Sequence, residues 1–199
     1  QLRTLDPAHD GKTIGMRGFG AYLNSADNDA FDVSKLSLYQ DMSRPVSHYW
    51  CASSHNTYLD GDQLQSNSSV QRYISDLQGG CRCVELDCWD GPKNDPIIYH
   101  GNTLTSKIRF EDAIIGIAEN AFRTSEYPVI LSLENHCSVP QQNVMQAMMK
   151  KYFGDMLCCP ELTADGELPS LNSLMKKIVL KGKVLPKESD TGGGGEASD

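Results

Sequence analysis

From Val46 onward, short apolar runs alternate with apolar residues at helical spacing. Tyr49-Trp-Cys-Ala-Ser53 is the first run, and it ends in Ser54-His55-Asn56. Val70, Tyr73, Ile74 and Leu77 then share one stripe, which predicts a helix stopped by Gly79-Gly80. An acidic strand follows within Cys81-Arg-Cys-Val-Glu-Leu-Asp-Cys-Trp-Asp90, then a turn over 90–95 and Ile97-Ile-Tyr-His100. Ala113, Ile114, Ile117, Ala118, Ala121 and Phe122 mark a second helix. Val129-Ile-Leu-Ser-Leu133 reads as a strand ending in Glu134, and Val144, Met145, Met148, Met149 and Tyr152 mark a third helix. Ile178-Val-Leu180 is a last strand, ending in Lys181-Gly-Lys183.

Strands alternating with amphipathic helices predict βα units and a parallel sheet, hence an α/β fold. All four strands break into polar chemistry at their C-terminal ends: His55/Asn56, Glu85/Asp87, Glu134 and Lys181. That is the functional edge of a (β/α) barrel or of an open α/β sheet. Four units make half of an eight-fold barrel, which leaves an open sheet edge and an exposed core.

Residues 1–40 read as helical pieces with turns, including a short apolar segment around Phe19, Tyr22 and Leu23. Asp27-Asn-Asp29 hints at a calcium-binding loop, but Asp32 stands where that loop needs Gly and Leu38 where it needs Glu. No calcium is assigned there. The stretch 186–199 sets one lysine, Lys187, against Glu188, Asp190, Glu196 and Asp199 around Gly192–Gly195. It reads as a flexible acidic linker.

The acidic strand carries the strongest chemical signal. Alternate strand residues share a face, so Glu85 and Asp87 point one way and Val84, Leu86 and Cys88 the other. Uncompensated carboxylates on a buried face cost several kcal/mol each, in rough terms. Either basic partners at a salt-bridged edge or a hard divalent metal removes that cost.

If the turn over 90–95 closes a hairpin, Trp89 pairs with Pro96. His100 then lies opposite Glu85, within one register step, beside the carboxylates without being a ligand. An imidazole there suits proton transfer near neutral pH; the alternative is a core histidine bonded to a carbonyl. His55 is placed to donate to developing negative charge, and the Asn56 carbonyl to ligate a hard cation, although a capping pair is the plainer reading of those two alone. Lys181 and Lys183 are either a solvated turn or phosphate contacts. Together, an oxygen cage for one metal, two imidazoles and two ammonium groups suit phosphoryl transfer.

Bulk properties narrow the class. The 199 residues carry 39% hydrophobic and 22% charged residues, ordinary for a globular chain. The net charge of −8 argues against nucleic acid as a main partner and is neutral about membranes. Seven cysteines without a CxxC pair read as reduced thiols in an intracellular protein. The chain opens on Gln1 in mid-pattern, which reads as a fragment.

Five motifs carry a family resemblance: Ser53-Ser-His-Asn-Thr-Tyr-Leu59, Gly80-Cys-Arg-Cys-Val-Glu-Leu-Asp-Cys-Trp-Asp-Gly91, Ile98-Tyr-His-Gly101, Leu131-Ser-Leu-Glu-Asn-His-Cys137 and Leu180-Lys-Gly-Lys183. Over 41–185 the chain resembles the X region of eukaryotic phosphoinositide-specific phospholipase C, closest to delta- and eta-like isoforms. Residues 1–40 resemble the end of that family's EF-hand region, and 186–199 the start of its X–Y linker. The resemblance implies the first half of a TIM-type (β/α)8 barrel that needs a Y half. It also implies Ca²⁺-dependent cleavage of phosphatidylinositol 4,5-bisphosphate to diacylglycerol and inositol trisphosphate through a cyclic phosphodiester. Asn56, Glu85, Asp87 and Glu134 match the calcium ligands. His55 would stabilise the transition state, His100 would act as acid and then base, Glu85 or Glu134 as the first base, and Lys181 and Lys183 would bind ring phosphates. The expected place of work is the cytoplasm and, transiently, the inner face of the plasma membrane. The rival expectation is a silent relative that binds inositol phosphates or partners without turnover; the presence of both His55 and His100 favours the enzyme.

Overall fold

The computed structural model describes residues 13–32, 35, 37–160 and 166–182. Two compact units divide the chain, 1–41 and 42–199. The described part of the first unit holds one short helix, α1 (Met16–Leu23), and a single 3-10 turn at Ala26–Asn28.

The second unit is built on six strands: β1 (Cys83–Trp89), β2 (Ile97–Ile98), β3 (Ile108–Arg109), β4 (Val129–Asn135), β5 (Leu157–Cys158) and β6 (Ile178–Gly182). Their order in the sheet is β3-β2-β1-β4-β6-β5. β1, β4 and β6 run parallel in chain order, as successive strands of a barrel do, and β2 and β3 add an antiparallel edge. Helix α2 (Val70–Gln78) precedes β1, and α3 (Phe110–Asn120) and α4 (Val139–Phe153) cross over between strands.

Local chemistry sets the helix ends. Ser69 caps α2 by accepting from the Gln71 N–H, and Gly79 closes it. Glu111 and Asp112 occupy the first turn of α3, and Lys150 and Lys151 the last turn of α4, each matched to the helix dipole. The helices bury their apolar stripes, Tyr73 and Leu77, Ile114 and Ile117, Met145 and Met149, against one face of the sheet. That face presents Val84, Leu86, Cys88, Val129, Leu131 and Ile178. α2 and α3 approach closely at Gly116, where a Cβ would stand 2.7 Å from Val70 Cγ1.

Arg82 locks the lower ends of these helices together. Its guanidinium donates to the carbonyls of Cys81 (2.8 Å), Ala121 (2.7 Å) and Leu77 (3.0 Å). The last two are carbonyls that a helix end leaves unsatisfied.

Two expectations need correction. The first apolar run forms no strand: Ser53 makes one parallel bridge to Cys83, and Trp50 is fully exposed. With only β1 beside it, that segment has a ladder on one side and nothing to extend it. The hairpin register is also shifted by one residue, since Trp89 faces Ile97, not Pro96. β2 ends at Ile98, so His100 lies in the following turn and not opposite Glu85.

Candidate active site

The parity of β1 holds in three dimensions. Val84, Leu86 and Cys88 are buried under the helices, while Glu85 and Asp87 point to the other face. The parallel register sets Asp87 directly beside Glu134 of β4. One carboxylate oxygen each from Glu85, Asp87 and Glu134 lies within 4.8 Å of the others.

The segment after Ser53 folds over these acids. The Ser54 N–H donates to the Cys83 carbonyl at 2.9 Å, and its hydroxyl donates to Asp76 Oδ2 at 2.7 Å. Asn56 takes a left-handed backbone (φ 46°), a conformation asparagine tolerates better than most residues. Its N–H donates to Glu85 Oε2 at 2.9 Å, and Thr57 Oγ1 accepts from the Glu85 N–H at 2.9 Å. The Asn56 amide nitrogen donates to Gln63 Oε1 at 2.5 Å, which turns its oxygen away from Gln63. The buried Tyr58 hydroxyl stands 3.2 Å from that oxygen and donates to Asp87 Oδ2 at 2.7 Å. Asp87 Oδ1 is buried without a hydrogen-bond partner.

Two imidazoles border the same site. His55 is 78% exposed, its Nε2 3.9 Å from Glu85 Oε2. His100 Nδ1 lies 2.6 Å from the Gln63 carbonyl, which can only accept. Nδ1 therefore carries a proton, and Nε2 is left to exchange one. A cavity of about 640 Å³ is lined by His55, Asn56, Asp87, His100 and Glu134, with Gln63 and Trp89 at its wall.

Lys181 sits two strands from Glu85 in the same register row, Glu85–Ser132–Lys181, and its Nζ reaches Ser132 Oγ at 3.5 Å. Its ammonium is exposed at the rim and does not line the cavity. Lys183 lies outside the described residues.

The profile described as phosphatidylinositol-specific phospholipase C, X domain, matches residues 42–184. The chain belongs to that family. Among curated relatives, this X domain is 50% identical over 192 residues to human 1-phosphatidylinositol 4,5-bisphosphate phosphodiesterase delta-4, covering 93% of the chain and 25% of that protein. It is 47% identical over 204 residues to human eta-2, covering all of the chain and 14% of that protein. The chain thus spans about a quarter of the length of its delta-type relatives or less. The crystal structure of S. officinalis PLC21 superposes with a TM-score of 0.77 at 39% identity, covering 95% of this chain and 26% of that one. The Listeria monocytogenes phosphatidylinositol-specific phospholipase C, 16% identical, shares the fold at a TM-score of 0.51.

The X domain's acids fit a hard divalent cation. Burial pushes the Asp87 carboxyl above the ordinary aspartate value; the Tyr58 hydrogen bond opposes this, and Glu134 and Glu85 add to it. A cation reverses that balance, because it supplies Oδ1 with the partner it lacks and neutralises the neighbouring charges. The three clustered carboxylates offer only oxygen, which suits Ca²⁺ or Mg²⁺ over softer metals.

Sequence reasoning missed Tyr58 and Gln63. Tyr58 lies within the first quoted motif but drew no role there; its ring is buried in the core and its hydroxyl donates to Asp87. Gln63 carries no motif signal, being an exposed glutamine in a polar loop.

Proposed function

We propose that this chain is the catalytic X half of a Ca²⁺-dependent phosphodiesterase that cleaves phosphatidylinositol 4,5-bisphosphate to diacylglycerol and inositol 1,4,5-trisphosphate. The observation that carries this reading is the convergence of Asp87, Glu134, His55 and His100 on one cavity, with Glu85 in the same acid cluster and one Asp87 carboxylate oxygen buried without a partner. Bound at Asn56, Glu85, Asp87 and Glu134, calcium supplies positive charge to the phosphate and to the attacking hydroxyl.

The first step forms a bond from the inositol 2-oxygen to phosphorus and breaks the bond to the glycerol oxygen. Glu85 or Glu134 takes the 2-hydroxyl proton, and protonated His100 gives its Nε2 proton to the leaving alkoxide. The Gln63 carbonyl holds His100 Nδ1 throughout, so the proton that moves is on Nε2. His55 donates to the charge growing on the phosphoryl oxygens. In the second step, His100 Nε2 takes a proton from water, whose oxygen bonds to phosphorus as the bond from phosphorus to the 2-oxygen breaks, and the carboxylic acid returns its proton to that 2-oxygen. Lys181 and Lys183 serve the ring phosphates.

Leu64 and Leu104 support a lipid surface as the place of reaction. They are 68% and 85% exposed, joined by the Leu104 N–H to Leu64 carbonyl bond at 2.8 Å, and adjacent to Gln63 and Thr103. Exposed apolar side chains at the mouth of a polar site suit a membrane interface. We assign the inner face of the plasma membrane as that surface, residues 1–40 to the end of an EF-hand region and 186–199 to the linker before the Y half.

The test is inositol phosphate release from phosphoinositide vesicles by this chain co-expressed with a Y half, across a calcium titration. Calcium-dependent release that His55→Ala abolishes supports the enzyme. An assembled barrel that binds inositol phosphates and releases none supports the binding module instead.

A further inference from the structure

We propose that Trp89 is a positioning residue for His100, acting through the backbone of Gly101; this rests on the acid role given to His100 above. His100 occupies a turn, and its other ties, the Thr105 Oγ1 acceptor at 3.3 Å, the Thr103 hydroxyl that donates to its carbonyl at 2.6 Å, and the Gln63 carbonyl, belong to loop residues. The rigid neighbour is the last residue of β1. A Cβ on Gly101 would stand 2.2 Å from Trp89 Cζ2, 2.9 Å from Cη2 and 3.0 Å from Cε2. The turn therefore packs against the benzo ring of the indole at a distance that only glycine permits.

The indole is itself wedged. It stacks on His136 with centroids 4.0 Å apart and planes 13° apart, and Tyr99 packs against it at 5.4 Å. Trp89 Nε1 is buried and has no hydrogen-bond partner, which is unfavourable for a polar group out of water. The ring thus takes this place because of what it packs against, at the expense of its polar atom. β1 consequently fixes two parts of the reaction, the acids through Glu85 and Asp87 and the proton donor through Trp89. A displacement of His100 by 1 Å would leave the cation site whole and impair only the proton transfer.

The experiment compares two soluble esters of the same inositol phosphate head group, using this chain assembled with its Y half. One has an alkyl leaving group, which needs protonation, and the other an aryl leaving group, which does not. Trp89→Leu and Gly101→Ala are expected to lower kcat on the alkyl ester about 10²-fold and on the aryl ester by less than about 10-fold, with calcium affinity unchanged. In a His100→Ala background, Trp89→Leu is expected to add no further loss. Trp89→Phe keeps a stacking ring and serves where the leucine variant fails to assemble; it is expected to show the same leaving-group contrast in smaller degree. Equal losses on both esters, or losses that add to those of His100→Ala, would overturn the proposal. If His100→Ala itself treats both esters alike, the acid role fails first, and the positioning role falls with it.

Discussion

The Tyr58 hydroxyl donates to Asp87 Oδ2 at 2.7 Å, so a buried phenol holds one oxygen of a buried acid and leaves the other free. The bond orients Oδ1 toward the cluster before any cation arrives, a form of preorganisation. Tyr58→Phe is expected to lower stability by about 1–3 kcal/mol in chelator, because Asp87 Oδ2 loses its partner and joins Oδ1 in having none. Saturating calcium is expected to recover part of that loss. Urea denaturation of the assembled barrel with and without calcium checks this; an equal loss in both would mean the hydroxyl acts on the core alone.

Asp87 also sets a pH dependence. Its carboxyl is raised above the ordinary 3.8, chiefly by burial, then by Glu134 and Glu85 against the pull of Tyr58. A raised folded value means the protonated form favours the fold. Stability from this group is therefore full below the ordinary value and lost as pH rises through the raised one. In chelator, the thermal midpoint of the wild type is expected to fall relative to Asp87→Asn as pH climbs past the aspartate range. Calcium should cancel the difference for the wild type and do nothing for the variant.

Leu64 and Leu104 form an apolar pair beside the cavity mouth, tied at the backbone and otherwise exposed. Replacing both by serine is expected to reduce turnover on vesicles at least about tenfold, since each loses a buried-leucine contribution of roughly 1.5–3 kcal/mol at a lipid surface. Turnover of a soluble ester should be unchanged. Equal loss on both substrates would assign the leucines to the site and not to the surface.

Arg82 donates to the carbonyls at the ends of two helices and touches none of the site residues. Arg82→Met keeps much of the aliphatic bulk and removes those bonds. A loss of about 3 kcal/mol in urea stability with unchanged calcium affinity is expected. A change in calcium affinity would show that the helix ends and the acid cluster are coupled.

What was legible in the sequence followed from periodicity. The stripes Val70–Leu77 and Ala113–Ile117 and the parity of Glu85 with Asp87 depend only on helix and strand geometry, and all three stand as expected. The hairpin register did not, because it depends on the turn. Lys93 and Asn94 both adopt left-handed φ (57° and 60°), and a Cβ on Gly91 would stand 1.9 Å from the Asp95 carbonyl oxygen. A turn wound that tightly sets its own residue count, and no alternation of apolar residues reports it. Tyr58 and Gln63 were invisible for a different reason. They act across 29 and 37 residues of chain, on Asp87 and His100, and only the folded packing creates those partners.

The side-by-side register of Asp87 with Glu134 also determines which changes this chain can absorb over evolutionary time. Deleting one residue within β4 ahead of Glu134 would rotate its side chain to the helix-packed face and bring Asn135 to the acids in its place. β1 and β4 are thus closed to insertions and deletions, whatever substitutions they accept. Connections outside the paired strands carry no such register, and length differences among relatives should accumulate there.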